Sequence, residues 1–212
     1  MRIVVFGAGG AVGQRIVREA LERGHQVTAA VRDVTYYDRF DPRIAVVRAD
    51  ATDPATIAAA ATGTDVVVSA VSPRVGKTGL PAPSLTAVAR AFIASGVTRL
   101  IIVGGAGSLL VPGGKPHMDE PDFPAIYKPE AMAQRDALTV CRAEGSTLEW
   151  TYISPAEEMF AGQRTGAYRV GGDHLLTDAS GHSRISYEDY AVAVVDTLER
   201  HDHIRERITV AY

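Results

Sequence analysis

Residues 1–13 read MRIVVFGAGGAVG, and the order of their parts decides the fold. Ile3, Val4, Val5 and Phe6 form a continuous apolar run, the kind that fills a parallel sheet covered on both faces. The run breaks at Gly7-Ala8-Gly9-Gly10-Ala11-Val12-Gly13. A helical period follows over residues 11–23, carried by Val12, Ile16, Val17 and Leu21 and ended by Gly24. A strand that turns through glycines into a helix aims backbone amides and the positive end of the helix dipole at one spot, which makes an anion site. Gly7 permits the tight turn, Gly10 lets the backbone approach a pyrophosphate, and Gly13 lets the helix pack against the strand. The amides of Gly9, Ala11 and Val12 complete the expected cradle.

Outward from this turn the chain alternates. Strands are read at residues 26–31, 44–47, 65–70, 100–103 and 148–153, with helices at 84–95 and 129–143 between them. Asp53-Pro54 reads as the N-cap and first position of another helix. Residues 104–123 are rich in Gly and Pro and have no clean period; loops of that length in compact folds are often functional. Beyond Pro155 the pattern loosens into short strand-like pieces at 167–170 and 174–176. Ser186 then opens a helix through Leu198, with Asp189 as a reciprocal cap, and 208–211 reads as a last strand. Alternation of this kind implies an α/β fold: a Rossmann-type doubly wound parallel sheet with a small C-terminal substrate lobe. The expected organisation is a single domain over 1–212. Its core runs to about 153, the lobe covers about 154–187, and a helix and strand at 188–212 close the fold.

Composition narrows the function. With 212 residues, 46% hydrophobic and 22% charged, the chain is long enough to bury a core. A formal net charge of −3 shows no basic footprint for nucleic acid. The single cysteine, Cys141, excludes an intramolecular disulfide and fits a reducing, cytoplasmic compartment. The apolar N-terminal run is too short for a signal segment or a membrane span. The expected partner is a small molecule, with no nucleic acid and no membrane, on a monomer or homodimer.

The residue after the second strand selects between dinucleotides. A carboxylate there suits the ribose hydroxyls of NAD, whereas an arginine suits the 2′-phosphate of NADP. Arg32 holds that place, with Asp33 next to it, so NADP (as NADPH) is favoured and NAD stays possible. Asp50, followed by Ala51, suits either an adenine contact or a turn. Ala70, Val71 and Ser72 follow the fourth strand, and Gly104, Gly105 and Ala106 the fifth. Loops at these strand ends are where doubly wound sheets bind ligands. Gly76-Lys77-Thr78 resembles the end of a P-loop, but Val71 stands where its first glycine belongs, which argues against a nucleoside triphosphatase. The six histidines are scattered; even His201 and His203 lack cysteine partners, so they read as surface residues and no metal site is expected.

The same residues resemble the atypical short-chain dehydrogenase/reductase superfamily, most closely its NmrA-like, NADH-flavin reductase branch, which is similar to the biliverdin reductase B/flavin reductase group. The resemblance spans nearly the whole chain. It is carried by the Gly7, Gly10, Gly13 spacing, Val31-Arg32-Asp33, residues 50–53 (DATD), 99–108 (RLIIVGGAGS), Phe123-Pro124 and 150–155 (WTYISP). Gly166-Ala167-Tyr168, Ile185-Ser186 and Asp189-Tyr190-Ala191 extend it. It implies that Ser154 and Pro155 border the nicotinamide. The sequence also departs from the superfamily. Its usual catalytic pair is a tyrosine followed four residues later by a lysine; Tyr127 fits the first place, but Ala131 holds the second. Ser108 is the hydroxyl nearest the usual serine position, and Ala156 stands where the biliverdin reductase group has a histidine.

A carbonyl reduced to an alkoxide needs an acid nearby, whereas a flavin or quinone spreads the charge over a conjugated ring and can take its proton from water. The expected activity is therefore hydride transfer from NADPH to such a ring, without a Tyr/Lys relay. Flavin is a substrate here, not a bound group. The acceptor cleft is expected between residues 108–123, Tyr127 and residues 155–160. Tyr127 is read first as an aromatic wall and second as a proton donor, with Ser108 as the other candidate. Glu157 and Glu158 read as a solvated face before they read as acceptor contacts. The alternatives are a non-catalytic NADP(H) sensor of the NmrA-like type and, last, a sugar-nucleotide epimerase or dehydratase.

Overall fold

The computed structural model describes residues 1–35, 40–73 and 82–212. Lys77 and the P-loop-like Gly76-Lys77-Thr78 lie outside the described residues.

Eight strands form one sheet in the order β3-β2-β1-β4-β5-β6-β10-β8. They are β1 (Arg2–Phe6), β2 (Gln26–Val31), β3 (Ala45–Arg48), β4 (Val66–Ser69), β5 (Arg99–Val103), β6 (Glu149–Pro155), β8 (Arg169–Gly171) and β10 (Glu206–Ala211). All neighbours run parallel except β8, which pairs antiparallel with β10. Strand order reverses between β1 and β4, so the carboxyl ends of these strands open a crevice at the switch point.

The burial of β1 shows why the sheet is covered twice. Ile3 and Val5 join one cluster with Ile16 and Val17 of helix α1 (Ala11–Glu22) and Tyr190 and Val194 of α5 (Tyr187–Arg200). Val4 and Phe6 join the other. There they meet Ile57 of α2 (Pro54–Ala60), Phe92 of α3 (Leu85–Ala94) and Leu138 of α4 (Lys128–Glu144). Alternate side chains of one strand thus feed two cores, and the apolar run needs no polar positions.

Caps set most helix starts. Asp53 accepts from the Ala55 amide, Ser84 from Ala87 and Ser186 from Asp189. Gly24 and Gly96 follow helix ends with φ of 83° and 77°, the left-handed region that glycine enters without strain.

The small lobe differs from the sequence reading in two places. Residues 174–176 form no strand; His174 makes only an isolated bridge to Leu110, because Gly171 and Gly172 end the regular pairing before it. A second, two-stranded parallel sheet joins β7 (Glu158–Phe160) to β9 (Arg184–Ser186), both too short to show a period. The reciprocal cap at α5 is also corrected. Asp189 does not turn back to Ser186. Its carboxylate accepts from the Thr165 and Gly166 amides (2.8 and 2.7 Å), the Thr165 hydroxyl (2.6 Å) and the Tyr212 hydroxyl (2.7 Å). A buried carboxylate with four donors is worth more to the fold than one cap bond, and it ties the lobe to α5. Arg164 adds a second tie, donating to Glu19 on α1 through Nε and Nη2 at 2.7 Å each.

Candidate functional site: an open glycine turn at the carboxyl edge of the sheet

The turn after β1 is built as its glycines require. Gly7 has φ 76°, and a Cβ there would lie 2.3 Å from the Ala70 carbonyl oxygen. A Cβ on Gly13 would lie 2.2 Å from the Gly7 oxygen, so α1 presses directly on the strand end. Gly10 is the N-cap of α1, its amide donating to the Gly7 oxygen at 3.0 Å. No side chain caps α1, and its first turn has no acidic residue. Gly9, Gly10 and Ala11 are exposed, and beyond its chain neighbours no described residue stands within 4 Å of where a Gly9 Cβ would be. The residues fit a dinucleotide: a helix N-terminus with no side-chain cap and no acidic residue in its first turn faces open space.

Arg32 lies just past β2 and Asp50 two residues past β3. The Asp50 carboxylate accepts from the Thr52 amide (2.9 Å) and hydroxyl (2.7 Å), so of its two readings the turn is the one seen. Burial opposes its charge, but the Thr52 bonds and the nearby Arg32 guanidinium hold its pKa below the usual range. Asp33 is likewise spent on Thr35, accepting from its amide (2.9 Å) and hydroxyl (2.7 Å). The Ala51 methyl is in the core, which leaves only its backbone to meet a ligand.

Further along the carboxyl edge, Ala70 donates its amide to the Phe6 oxygen at 2.9 Å and so flanks the glycine turn. Val71 packs partly into the core and Ser72 is exposed. Gly104 leaves room for the Tyr152 ring, which a Cβ would meet at 2.1 Å; Gly105 rests on Gln134 and Gly107 on Ala131. Ala106 accepts from the Leu109 amide (2.9 Å) and closes the turn after β5. The Ser154 hydroxyl, at the end of β6 beside Pro155, is buried with no hydrogen-bond partner among the described residues. An orphan hydroxyl at a strand's carboxyl end suits a polar ligand group.

Tyr127, Ala131 and Gln134 share one face of α4 by their spacing, and that face meets residues 104–107. Tyr127 is half-exposed at the outer end of this face, in the short 3-10 turn Ala125–Tyr127. Ala131 is buried where the relay lysine would be. The Ser108 hydroxyl accepts from Arg207 Nη1 at 2.9 Å, which weighs against it as the acid of the site. Burial lowers the Arg207 pKa, and Asp173, bound at 2.5 Å, offsets this. Burial pushes the Cys141 thiol up to about 12, which makes it a poor nucleophile.

The two stretches expected to wall the acceptor cleft meet at a residue the sequence reading missed. His117 had been grouped with surface histidines, yet its side chain is only 7% exposed. Its ring stands edge-on to Phe123, centroids 5.0 Å apart, with Nε2 3.5 Å from Glu157 Oε1. The signal available was its place inside the long Gly- and Pro-rich stretch. Elsewhere, a hollow of about 260 Å³ lined by Thr62, Asp65, Ser95 and Arg99 lies at the amino ends of β4 and β5, opposite the glycine turn. Among the described residues no cluster of metal-ligating side chains is found, and no helix is long and apolar enough to cross a membrane.

A sheet ordered 3-2-1-4-5-6 with an uncapped glycine turn at its switch point defines an NAD(P)-binding protein of the Rossmann class. Residues 7–201 match the NAD(P)H-binding family, and the chain belongs to it. It is similar to solved structures that bear different names. A protein of Burkholderia pseudomallei, provisionally named an exported protein, is 42% identical with TM-score 0.87 over 100% of both chains. One from Bacteroides thetaiotaomicron, provisionally named an epimerase, is 35% identical with TM-score 0.87 over 100% of this chain and 96% of that one. One from Streptococcus pneumoniae TIGR4, provisionally named an NADH-flavin reductase, is 35% identical with TM-score 0.85 over 100% and 99%. The resemblance to the atypical short-chain dehydrogenase/reductase superfamily stands with these matches.

Proposed function

We propose that this chain is an NADPH-dependent reductase that passes hydride to a conjugated ring, a flavin or a quinone, without a Tyr/Lys proton relay. The observation that carries this reading is Ala131, buried against Gly107 at the relay position while the cofactor cradle beside it is intact. Gly9 to Gly13 would hold the pyrophosphate, Arg32 the 2′-phosphate, and Ser154 and Pro155 would border the nicotinamide. Arg32 just past β2, with Asp33 Oδ1 turned to Thr35, supports NADP over NAD. When bound, the cofactor supplies a hydride and is oxidised, and the ring acceptor takes that hydride with one proton from water. The protein's part is to hold the acceptor in place and keep the cleft dry.

The Streptococcus relative's name points the same way. The epimerase name of the Bacteroides relative fits less well, since that chemistry also leans on the tyrosine and lysine pair that Ala131 interrupts. A sensor that binds NADP(H) and turns nothing over shares the same cradle, and the same alanine favours it. The test is steady-state NADPH oxidation with FMN, FAD and menadione beside simple ketones and aldehydes. The proposal expects turnover with ring acceptors and little with carbonyl compounds. Preference for ketones would overturn it, and no turnover with any acceptor would leave the sensor.

A further inference from the structure

The meeting of His117 and Glu157 carries more than the shape of a wall. The histidine is fixed on both sides. Its backbone amide donates to the Leu109 oxygen at 2.7 Å, and its Nδ1 lies 2.7 Å from Glu120 Oε2. A carboxylate offers only lone pairs, so Nδ1 carries hydrogen. Nε2 is buried and has no hydrogen-bond partner among the described residues. The group facing it is another carboxylate, Glu157 Oε1, at 3.5 Å, too far for a good hydrogen bond. With Nδ1 engaged by Glu120, Nε2 is the nitrogen left for a ligand, and it donates once the ring holds a hydrogen on each nitrogen.

Glu157 is placed to uncover that donor. It lies just past β6, its amide donates to the Ser183 hydroxyl at 3.1 Å, and its side chain is half-exposed. The backbone is anchored while the carboxylate reaches solvent. A buried polar atom left without a partner costs stability, which makes Nε2 a place for a polar ligand group.

The geometry points to His117 and Glu157 as a polar subsite that reads the imide edge of the acceptor ring. Nε2–H donates to a ring carbonyl oxygen, and the Glu157 carboxylate accepts from the adjacent ring N–H. This rests on the reading of the cleft as the acceptor site of a reductase. A flavin carries such an edge, with a carbonyl beside an N–H, whereas a quinone has the carbonyl alone. The Glu157 contact is made by a carboxylate, so it binds more strongly than a neutral pair. A donor at that carbonyl also favours the ring once hydride has arrived and negative charge spreads onto it. Glu120 acts through His117 as a positioning residue, fixing the ring by its hold on Nδ1.

The test compares riboflavin with riboflavin methylated at the imide nitrogen, which keeps the carbonyls and loses the N–H. KM and kcat are measured with NADPH for the wild type, Glu157→Ala, His117→Leu and His117→Gln, and riboflavin binding is followed by its fluorescence with NADP⁺ present. The wild type is expected to show a KM about tenfold or more lower for riboflavin than for the methylated form, the loss expected of a hydrogen bond to a charged group. Glu157→Ala should bring that ratio close to one. His117→Leu should weaken both flavins, with part of the loss restored by His117→Gln, which keeps a donor. Should His117→Leu fail to fold, the exposed Glu157→Ala still decides. Equal KM values for the two flavins in the wild type would overturn the subsite and leave the reductase intact. Binding of NADPH with no reduction of either flavin would instead overturn the reductase reading itself.

Discussion

Gly107 lies so close to Ala131 that a Cβ on the glycine would stand 2.4 Å from the alanine's own Cβ. The loop after β5 and the first turns of α4 are therefore in backbone-level contact at the place where a relay lysine would stand. Ala131→Lys would push a long, charged chain into that contact. Overpacking alone costs about 1–3 kcal/mol, and burying an unpaired ammonium adds to it. The expected result is a clear fall in the melting temperature and no gain of ketone reduction. Thermal melts and a ketone assay on the variant check both.

The glycines of the turn separate into two kinds. Gly7→Ala and Gly13→Ala place a methyl 2.3 and 2.2 Å from backbone oxygens, so something must shift. Each should destabilise the fold by about 2 kcal/mol or more and impair cofactor binding. Gly9→Ala meets no described residue beyond its chain neighbours within 4 Å. It should leave the melting temperature of the free protein nearly unchanged and weaken NADPH binding, because the methyl stands only in the ligand's way. Melts and calorimetric titrations of the three variants separate stability from affinity.

Arg32 stands beside Asp50 at the ends of neighbouring strands, and both nearby carboxylates are engaged by threonines. Arg32→Ala should weaken NADPH binding about tenfold or more while changing NADH binding little, since only the former loses a charge-assisted phosphate contact of about 1.5–3 kcal/mol. Dissociation constants for both cofactors, measured at two salt concentrations, check it.

Asp189 gathers Thr165, Gly166 and Tyr212 around one fully buried carboxylate. Burial opposes its charge, yet the bonds from Thr165, Tyr212 and Gly166 hold its pKa below the ordinary value. A carboxylate depressed in the folded state stabilises the protein above its unfolded pKa of about 3.9, and loses that contribution as pH falls through the folded value. Asp189→Ala should cost about 3 kcal/mol near neutrality. The gap between wild type and variant should hold from about pH 7 to pH 5 and narrow below about pH 4. Urea unfolding across that range measures it.

The sheet was legible because its signals are local. A run such as Ile3 to Phe6 shows a doubly covered strand, and Ser84 or Asp53 marks a helix start within a residue or two. The cofactor turn was legible for the same reason, since Gly7 and Gly13 are demanded by atoms a few residues away or on the next strand. The lobe was less so. β7 and β9 have three residues each and meet across more than twenty intervening positions, and Asp189 finds donors in a loop that no helical spacing foretells. His117 was missed for a related cause. Nothing in Pro116-His117-Met118 shows that Phe123 and Glu157 close over the ring, because the second of these arrives from the far end of β6.

NADPH held at the glycine turn should pass its hydride to a ring acceptor in the cleft beside it. The most direct measurement is a single-turnover, oxygen-free stopped-flow experiment that follows loss of NADPH absorbance and bleaching of FMN together on the purified protein. Both signals should decay at one rate, in equal amounts, with a rate that rises to a plateau as protein is increased. NADPH that binds tightly and stays reduced beside unbleached FMN and menadione would contradict it.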